Sequence, residues 1–349
     1  MKKTQIGNIK IGGNNPCFII AELSANHGKD ISIAIETIRA AKKAGADAIK
    51  LQTFTPDTIT LDVKTKEFLI NHNTLWDGKY LHELYNETHL PWEWHEELFR
   101  VAKEEGLVCF SSPFDFTAVD FLEQFDVPAY KIASFEITDI PLIEYTARKG
   151  KPMIMSTGIA TYEDIQLAVD TCRAVGNNDI TILKCTSAYP APIEEANLIM
   201  MQQFAKDFDV KVGLSDHTLG ITLPVVATVI GASVIEKHFI LDKSIGGPDA
   251  DFSLDEAEFT QMVKAVRGAQ KAIGSVSYEL TEKQKAGKQF SRSLYVSKDV
   301  KKGEVITKEN VRSVRPGYGL HPKYLKDILG KTFRSDIEKG TALSVVMIK

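Results

Sequence analysis

Two histidines, His217 and His238, each close an apolar, β-branched run, VKVGLSDH and SVIEKHF. If those runs are neighbouring strands, both imidazoles can reach one divalent ion and leave positions open for water and substrate. Oxygen atoms would complete the shell, a donor set that suits Mn²⁺, Co²⁺, Zn²⁺ or Fe²⁺ rather than Ca²⁺. A lone histidine is more often a satisfied structural group, but two on adjacent strand ends beside acidic residues favour a site. The other apolar runs also end in polar groups: Glu22, Lys50 with Gln52, Ser112, Lys131 with Ser134 and Glu136, Ser156 with Thr157, Thr186, and Ser215 with Asp216. Lys50 and Lys131, with the hydroxyls of Ser112, Ser134, Ser156 and Ser215, would form an anion pocket for a carboxylate and a phosphate. Such a lysine could instead form a Schiff base, though a Schiff-base enzyme needs no metal and the histidine pair argues for one. Either lysine alone could snorkel to solvent. Glu22 and Glu136 are candidate acid or base groups, or else structural partners of Lys50 and Lys131.

The elements that must position these groups follow from the hydrophobic pattern. From about residue 18 a short apolar run, a polar junction and an amphipathic stretch of helical length recur, as in consecutive βα units. The predicted strands are Phe18 to Leu23, Asp47 to Gln52, Leu107 to Ser112, Ala129 to Ser134, Pro152 to Thr157, Ile180 to Thr186, Val210 to Asp216 and Ser233 to Phe239. Eight such units predict an α/β fold, a (β/α)₈ TIM barrel, with the polar groups at the strands' C-terminal ends, where active sites of such barrels form. No G-x-G-x-x-G follows the first strand, which argues against a doubly wound dinucleotide fold. TYEDIQLAVDTCRAVG reads as a helix opened by a Thr161 to Asp164 capping signal and closed at Gly176. The segment from Thr53 to Pro91 is too long for a plain connection and reads as an active-site insertion. The predicted layout is a barrel over residues 1–275, a polar linker over 276–290, and a small β-rich domain over 291–349, a size at which folding alone is marginal.

Composition excludes several alternatives. The 349 residues are 44% hydrophobic and 25% charged, with a net charge of −4. That balance argues against nucleic acid or an anionic membrane as the main partner, and no apolar run is long enough to span a bilayer. The first residues, MKKTQIGNIKIGG, lack the apolar run of a secretory signal, so a cytoplasmic location is expected. Cys17, Cys109, Cys172 and Cys185 are widely spaced, which makes disulfides and thiolate zinc unexpected.

The motifs FIIAELSANHG, AIKLQTF, FSSPFD, AYKIASFE, MSTGIAT, LKCTSAYP, GLSDHTLG, IEKHF, GGPDADFS and RSVRPGYGLHP occur in order along nearly the whole chain. Together they resemble the N-acetylneuraminate (sialic acid) synthase family, and the tail resembles its antifreeze-like (SAF, β-clip) domain. The insertion NTLWDGKYLHELYNETHLPWEWHEELF and the GLHPKYL segment are most similar to the pseudaminic acid synthase branch. That branch joins phosphoenolpyruvate to 2,4-diacetamido-2,4,6-trideoxy-altrose, where the alternatives are N-acetylneuraminate or legionaminate synthases using another amino sugar. Ser187 in SAYP departs from the asparagine usual in sialate synthases and puts one phosphate contact in question. The resemblance implies His217 and His238 as ligands of a divalent metal, Mn²⁺ foremost with Co²⁺ or Mg²⁺ as alternates. It implies Lys50, Lys131, Ser112, Ser134, Ser156 and Ser215 around phosphoenolpyruvate, with Glu136 in forming and collapsing the tetrahedral intermediate. Beside these, Glu22 and Lys131 are expected to be catalytic and Ser187 to bind substrate. Gln52, Phe114, Tyr189 and Asp249 would line the sugar side. Phe290 and Arg315 would reach in from the tail of the partner in a domain-swapped homodimer. The antifreeze-like tail also raises a non-catalytic carbohydrate-binding protein, which the density of polar strand ends opposes.

Overall fold

Eight short apolar runs form parallel strands that close on themselves in the computed structural model, which describes residues 4–71 and 76–349. After a hairpin of β1 (Thr4–Ile6) and β2 (Ile9–Ile11), the barrel strands are β3 (Phe18–Glu22), β4 (Ala48–Thr53), β5 (Val108–Pro113) and β6 (Tyr130–Ile132). They continue as β7 (Met153–Ser156), β8 (Ile180–Cys185), β9 (Lys211–Asp216) and β10 (Val234–His238), and β10 pairs back onto β3 to complete the closed barrel. The expected strands all form, within a residue or two of the predicted ends, and the TIM-barrel reading holds.

Helices cover the outside because their apolar stripes match the outward face of the strands. The helix Ile31–Ala44 starts where the Asp30 side chain accepts from the Ser32 N–H and stops at Gly45, whose φ of 91° a residue with a Cβ would rarely adopt. It buries Ala34, Ile38 and Ala41, and full burial of an isoleucine such as Ile38 is worth about 1.5–3 kcal/mol. The helix Tyr162–Ala174 opens with the Thr161 and Asp164 capping box that its sequence signals.

The β1–β2 hairpin is an element that the hydrophobic pattern does not announce. Its Gly7 approaches Val108 at the start of β5, its Gly12 approaches Lys211 at the start of β9, and Ile6 and Ile11 are buried. The hairpin therefore covers the N-terminal end of the barrel and leaves the chemistry to the other end. In the insertion after β4 a short helix Pro56–Ile59 and a helix Leu81–Thr88 form, while residues 72–75 of the predicted insertion lie outside the described residues.

The chain divides into two compact units, Met1–Gly274 and Ser275–Lys349. In the second, the expected linker carries a helical turn, Glu282–Gly287, before β11 (Ser293–Val296) pairs antiparallel with β12 (Val311–Val314). A separate core of Leu294, Val296, Val300, Ile306, Phe333 and Leu343 holds this unit together. Among the described residues no helix is long and apolar enough to cross a membrane.

Candidate active site

Strand side chains alternate between faces, so Glu22, Lys50, Gln52, Ser112, Lys131, Ser156, Ser215, Glu236 and His238 share the barrel interior. The register places them level: Glu22 lies beside Lys50 on one side and His238 on the other, Gln52 lies beside Ser112, and Glu236 lies beside Ser215. Lys50 Nζ is 2.5 Å from Glu22 Oε2, donates to Ser112 Oγ at 3.2 Å and is 3.9 Å from Glu236. Lys131 Nζ is 3.5 Å from Glu236 Oε1, which also accepts from Ser215 Oγ at 3.1 Å. Two buried ammonium groups are thus matched by two carboxylates in a low-dielectric interior, the condition under which charges need partners.

Glu236 is absent from the sequence-derived candidates because they include only the last polar residue of its run, His238. Period-two alternation back from His238 leads to it. The same alternation turns Asp216 outward, where it pairs with the buried Lys237 at 2.6 Å instead of joining the site.

Burial pushes Glu22 up to about 7, with the Lys50 ammonium pulling the other way. Burial likewise pushes Glu136 up to about 7 against the pull of Lys131, and its Oε2 has no hydrogen-bond partner among the described residues. Glu136 is half-buried in a helical turn, Ser134–Glu136, that follows β6. Lys131 is held below the ordinary lysine value, first by burial, with Glu236 opposing.

A cluster of serine hydroxyls forms where β6, β7 and β8 end. Ser187 Oγ donates to Ser134 Oγ at 2.8 Å, and Ser156 Oγ is buried with no partner among the described residues. Gly158 makes this pairing possible: a Cβ there would lie 2.0 Å from Ser187 Oγ and 2.6 Å from Ser134 Oγ. Its contribution is empty space, which no sequence motif advertises.

The two histidine rings lie 5.3 Å apart, edge to face, with Tyr189 4.4 Å from His217 and Phe252 4.9 Å from His238. His217 Nδ1 donates to the Thr186 carbonyl oxygen at 3.0 Å; burial pulls the His217 value down, but the Cys185 side chain, the Thr186 carbonyl and Asp216 outweigh it and hold the value above the ordinary one. Burial and the neighbouring His217 and Lys50 charges push His238 well below its ordinary value, which keeps its ring neutral, and its Nδ1 has no hydrogen-bond partner among the described residues. The two oriented imidazoles could hold a divalent ion once His217 releases its proton, as metal binding to histidine requires. No group of three or more His, Cys, Asp or Glu side chains suited to a metal occurs among the described residues, so a cation held by this pair would draw its other ligands from water or substrate.

On the side of Gln52, Ser24 Oγ donates to Asp249 Oδ2 at 2.5 Å, and Asn26 Nδ2 ties this loop to Phe239 O at 3.0 Å and Ser253 Oγ at 2.8 Å. Phe114 packs on Phe54 at 5.2 Å, and Trp76 of the insertion lies 5.8 Å from Tyr189. Phe290 and Arg315 belong to the second unit, where both are exposed. A cleft of about 530 Å³ also opens at the opposite end of the barrel, beside Gly12 and Arg267. Arg267 is tied to Asp47 there at 2.6 Å, and the cleft has no acid–base pair to work with.

Residues 37–278 match the NeuB family and residues 291–349 match the SAF domain. The chain belongs to the NeuB family. This NeuB-family chain is 50% identical to a pseudaminic acid synthase of Campylobacter jejuni over 97% of its own length and 98% of that protein's. It is 49% identical to a pseudaminic acid synthase of Helicobacter pylori, with 94% and 97% of the two chains covered. Among solved structures, an N-acetylneuraminic acid (sialic acid) synthetase from Leptospira borgpetersenii superposes with a TM-score of 0.73 at 30% identity, over 82% of this NeuB-family chain and 95% of that one.

Proposed function

We propose that this chain condenses phosphoenolpyruvate with 2,4-diacetamido-2,4,6-trideoxy-L-altrose to give pseudaminic acid and phosphate. The observation that carries this reading is its 50% identity, across nearly the whole of both chains, with a pseudaminic acid synthase. The interior supports it: buried lysines beside a serine cradle suit a small molecule bearing both a carboxylate and a phosphate.

In this reading Lys50, Lys131, Ser112, Ser134, Ser156, Ser187 and Ser215 hold phosphoenolpyruvate, and Gln52, Phe114, Tyr189 and Asp249 face the sugar. His217 and His238 would hold a divalent ion, Mn²⁺ foremost. Such an ion supplies Lewis-acid polarisation of a carbonyl oxygen when bound. C3 of phosphoenolpyruvate attacks the aldehyde carbon, forming the new C–C bond and leaving C2 electron-poor. Water adds to C2, and one of its protons passes through the Glu136 carboxylate to the former aldehyde oxygen, which becomes a hydroxyl. The C2–O bond to phosphate then breaks as the C2 hydroxyl becomes the carbonyl, and its proton leaves with the inorganic phosphate. With a value near 7, Glu136 can take a proton in one step and return it in another. The lysines contribute position and charge throughout.

The test is to supply phosphoenolpyruvate, Mn²⁺ and a panel of amino sugars: the diacetamido-trideoxy-altrose, the diacetamido precursor of legionaminate, and N-acetylmannosamine. Phosphate release with the altrose derivative, and a product of pseudaminate mass, are expected. Preferential turnover of another sugar would defeat the reading.

A further inference from the structure

Ser24 follows Glu22 by two residues and has its backbone at φ 47°, in the left-handed region that side-chain-bearing residues rarely adopt. It is buried, and its N–H and hydroxyl both act on one small network. The N–H donates to Glu22 Oε1 at 3.1 Å, and the hydroxyl donates to Asp249 Oδ2 at 2.5 Å and accepts from Gln52 Nε2 at 3.0 Å. Gln52 uses its other amide hydrogen on Glu22 Oε1, also at 3.0 Å.

A carboxamide has two N–H donors and one carbonyl oxygen. Both donors of Gln52 are therefore engaged inside the protein, and only Oε1 can address a ligand. Asp249 is in the same position: Oδ2 is held by the Ser24 hydroxyl and, at 3.5 Å, by the Ala25 N–H. That leaves Asp249 Oδ1 as the carboxylate oxygen this network does not use.

We infer that Ser24 is a specificity-determining residue that fixes the hydrogen-bond polarity of the sugar end, so that Gln52 and Asp249 present oxygen acceptors only. The ligand class this selects is a sugar offering N–H or O–H donors there, such as the N–H of an acetamido group, and not one offering a bare acceptor. The inference rests on the proposed reading for which end takes the sugar. The network also accounts for a serine in the left-handed backbone: a glycine would fit that φ more easily but could not supply the hydroxyl.

The experiment compares Ser24→Gly and Ser24→Ala with the unaltered enzyme in steady-state kinetics and thermal melting. Glycine relieves the backbone and deletes the hydroxyl, while alanine deletes the hydroxyl and keeps the Cβ. Both variants should raise the KM for the diacetamido sugar by about tenfold or more and leave the KM for phosphoenolpyruvate unchanged. Both should also narrow, by about tenfold, the kcat/KM preference for that sugar over N-acetylmannosamine. Both lose the buried hydroxyl, but only glycine relieves the left-handed backbone, so the alanine variant should melt below the glycine variant. Unchanged sugar KM and preference in both variants, or equal rises in both KM values, would overturn the role of Ser24. If the unaltered enzyme prefers a different sugar, the proposed substrate fails, and the Ser24 inference is then decided by the same comparison on the preferred sugar.

Discussion

Glu136 has a buried, unpaired Oε2 and a value pushed up to about 7 by burial, against the pull of Lys131. A folded value raised above the unfolded one gives stability that is full below about 4.5 and lost as pH rises through about 7. Glu136→Gln, a neutral isostere, should therefore melt like the unaltered protein near pH 4 and gain relative stability up to about pH 7, where the gap levels off. Each tenfold change in proton affinity between the folded and unfolded chains sets a ceiling of roughly 1.4 kcal/mol on that gain, and the residue's partial exposure makes the actual gain smaller. Phosphate release should fall about 10²- to 10⁴-fold in the same variant, and a melting difference that stays flat with pH would refute the raised value. At the proposed metal site, His217→Ala and His238→Ala should each abolish Mn²⁺ binding measured by calorimetry, because a single imidazole retains too few donors; undiminished binding would remove the pair from that role. These histidines and both lysines are legible in the sequence because each ends or interrupts an apolar run. Glu236 is not, since it sits one alternation deeper in the same run as His238 and acts by neutralising Lys131 from across the barrel.

The strands are legible as short apolar runs because both of their faces are buried, and the helices because a near-four-residue period survives where one face is buried. The β1–β2 hairpin escapes because its strands are three residues each, too short for a period, although Gly7 and Asn8 between Ile6 and Ile9 are turn-forming residues. Gly158 escapes for a different reason, since what it contributes at the end of β7 is the absence of a side chain. Its backbone is not left-handed, so Gly158→Ala should fold, yet the new Cβ must drive Ser187 and Ser134 apart. The KM for phosphoenolpyruvate should rise about tenfold or more while the melting temperature moves by only a few degrees. A variant with the normal KM would mean that the paired hydroxyls do not hold the anion.

At the scale of the whole molecule, the second unit has a core of few residues and belongs to a size class that is marginal when alone. Its Phe290 and Arg315 serve the proposed reaction only if they meet a barrel, and in a domain-swapped homodimer that barrel is the partner's. Subunit mixing separates this arrangement from one in which the tail serves its own barrel. One inactive chain carries His217→Ala in the barrel, and the other carries Arg315→Ala in the tail. In a swapped heterodimer one site combines both defects and the other is wholly intact. Random reassociation makes about half the dimers mixed, so about a quarter of the unaltered activity should return on mixing two nearly inactive proteins. In the unswapped arrangement every site keeps one defect and nothing returns. Mixing is therefore read as recovered phosphate release at fixed total protein, and a mixture no more active than its components would assign the tail to its own barrel.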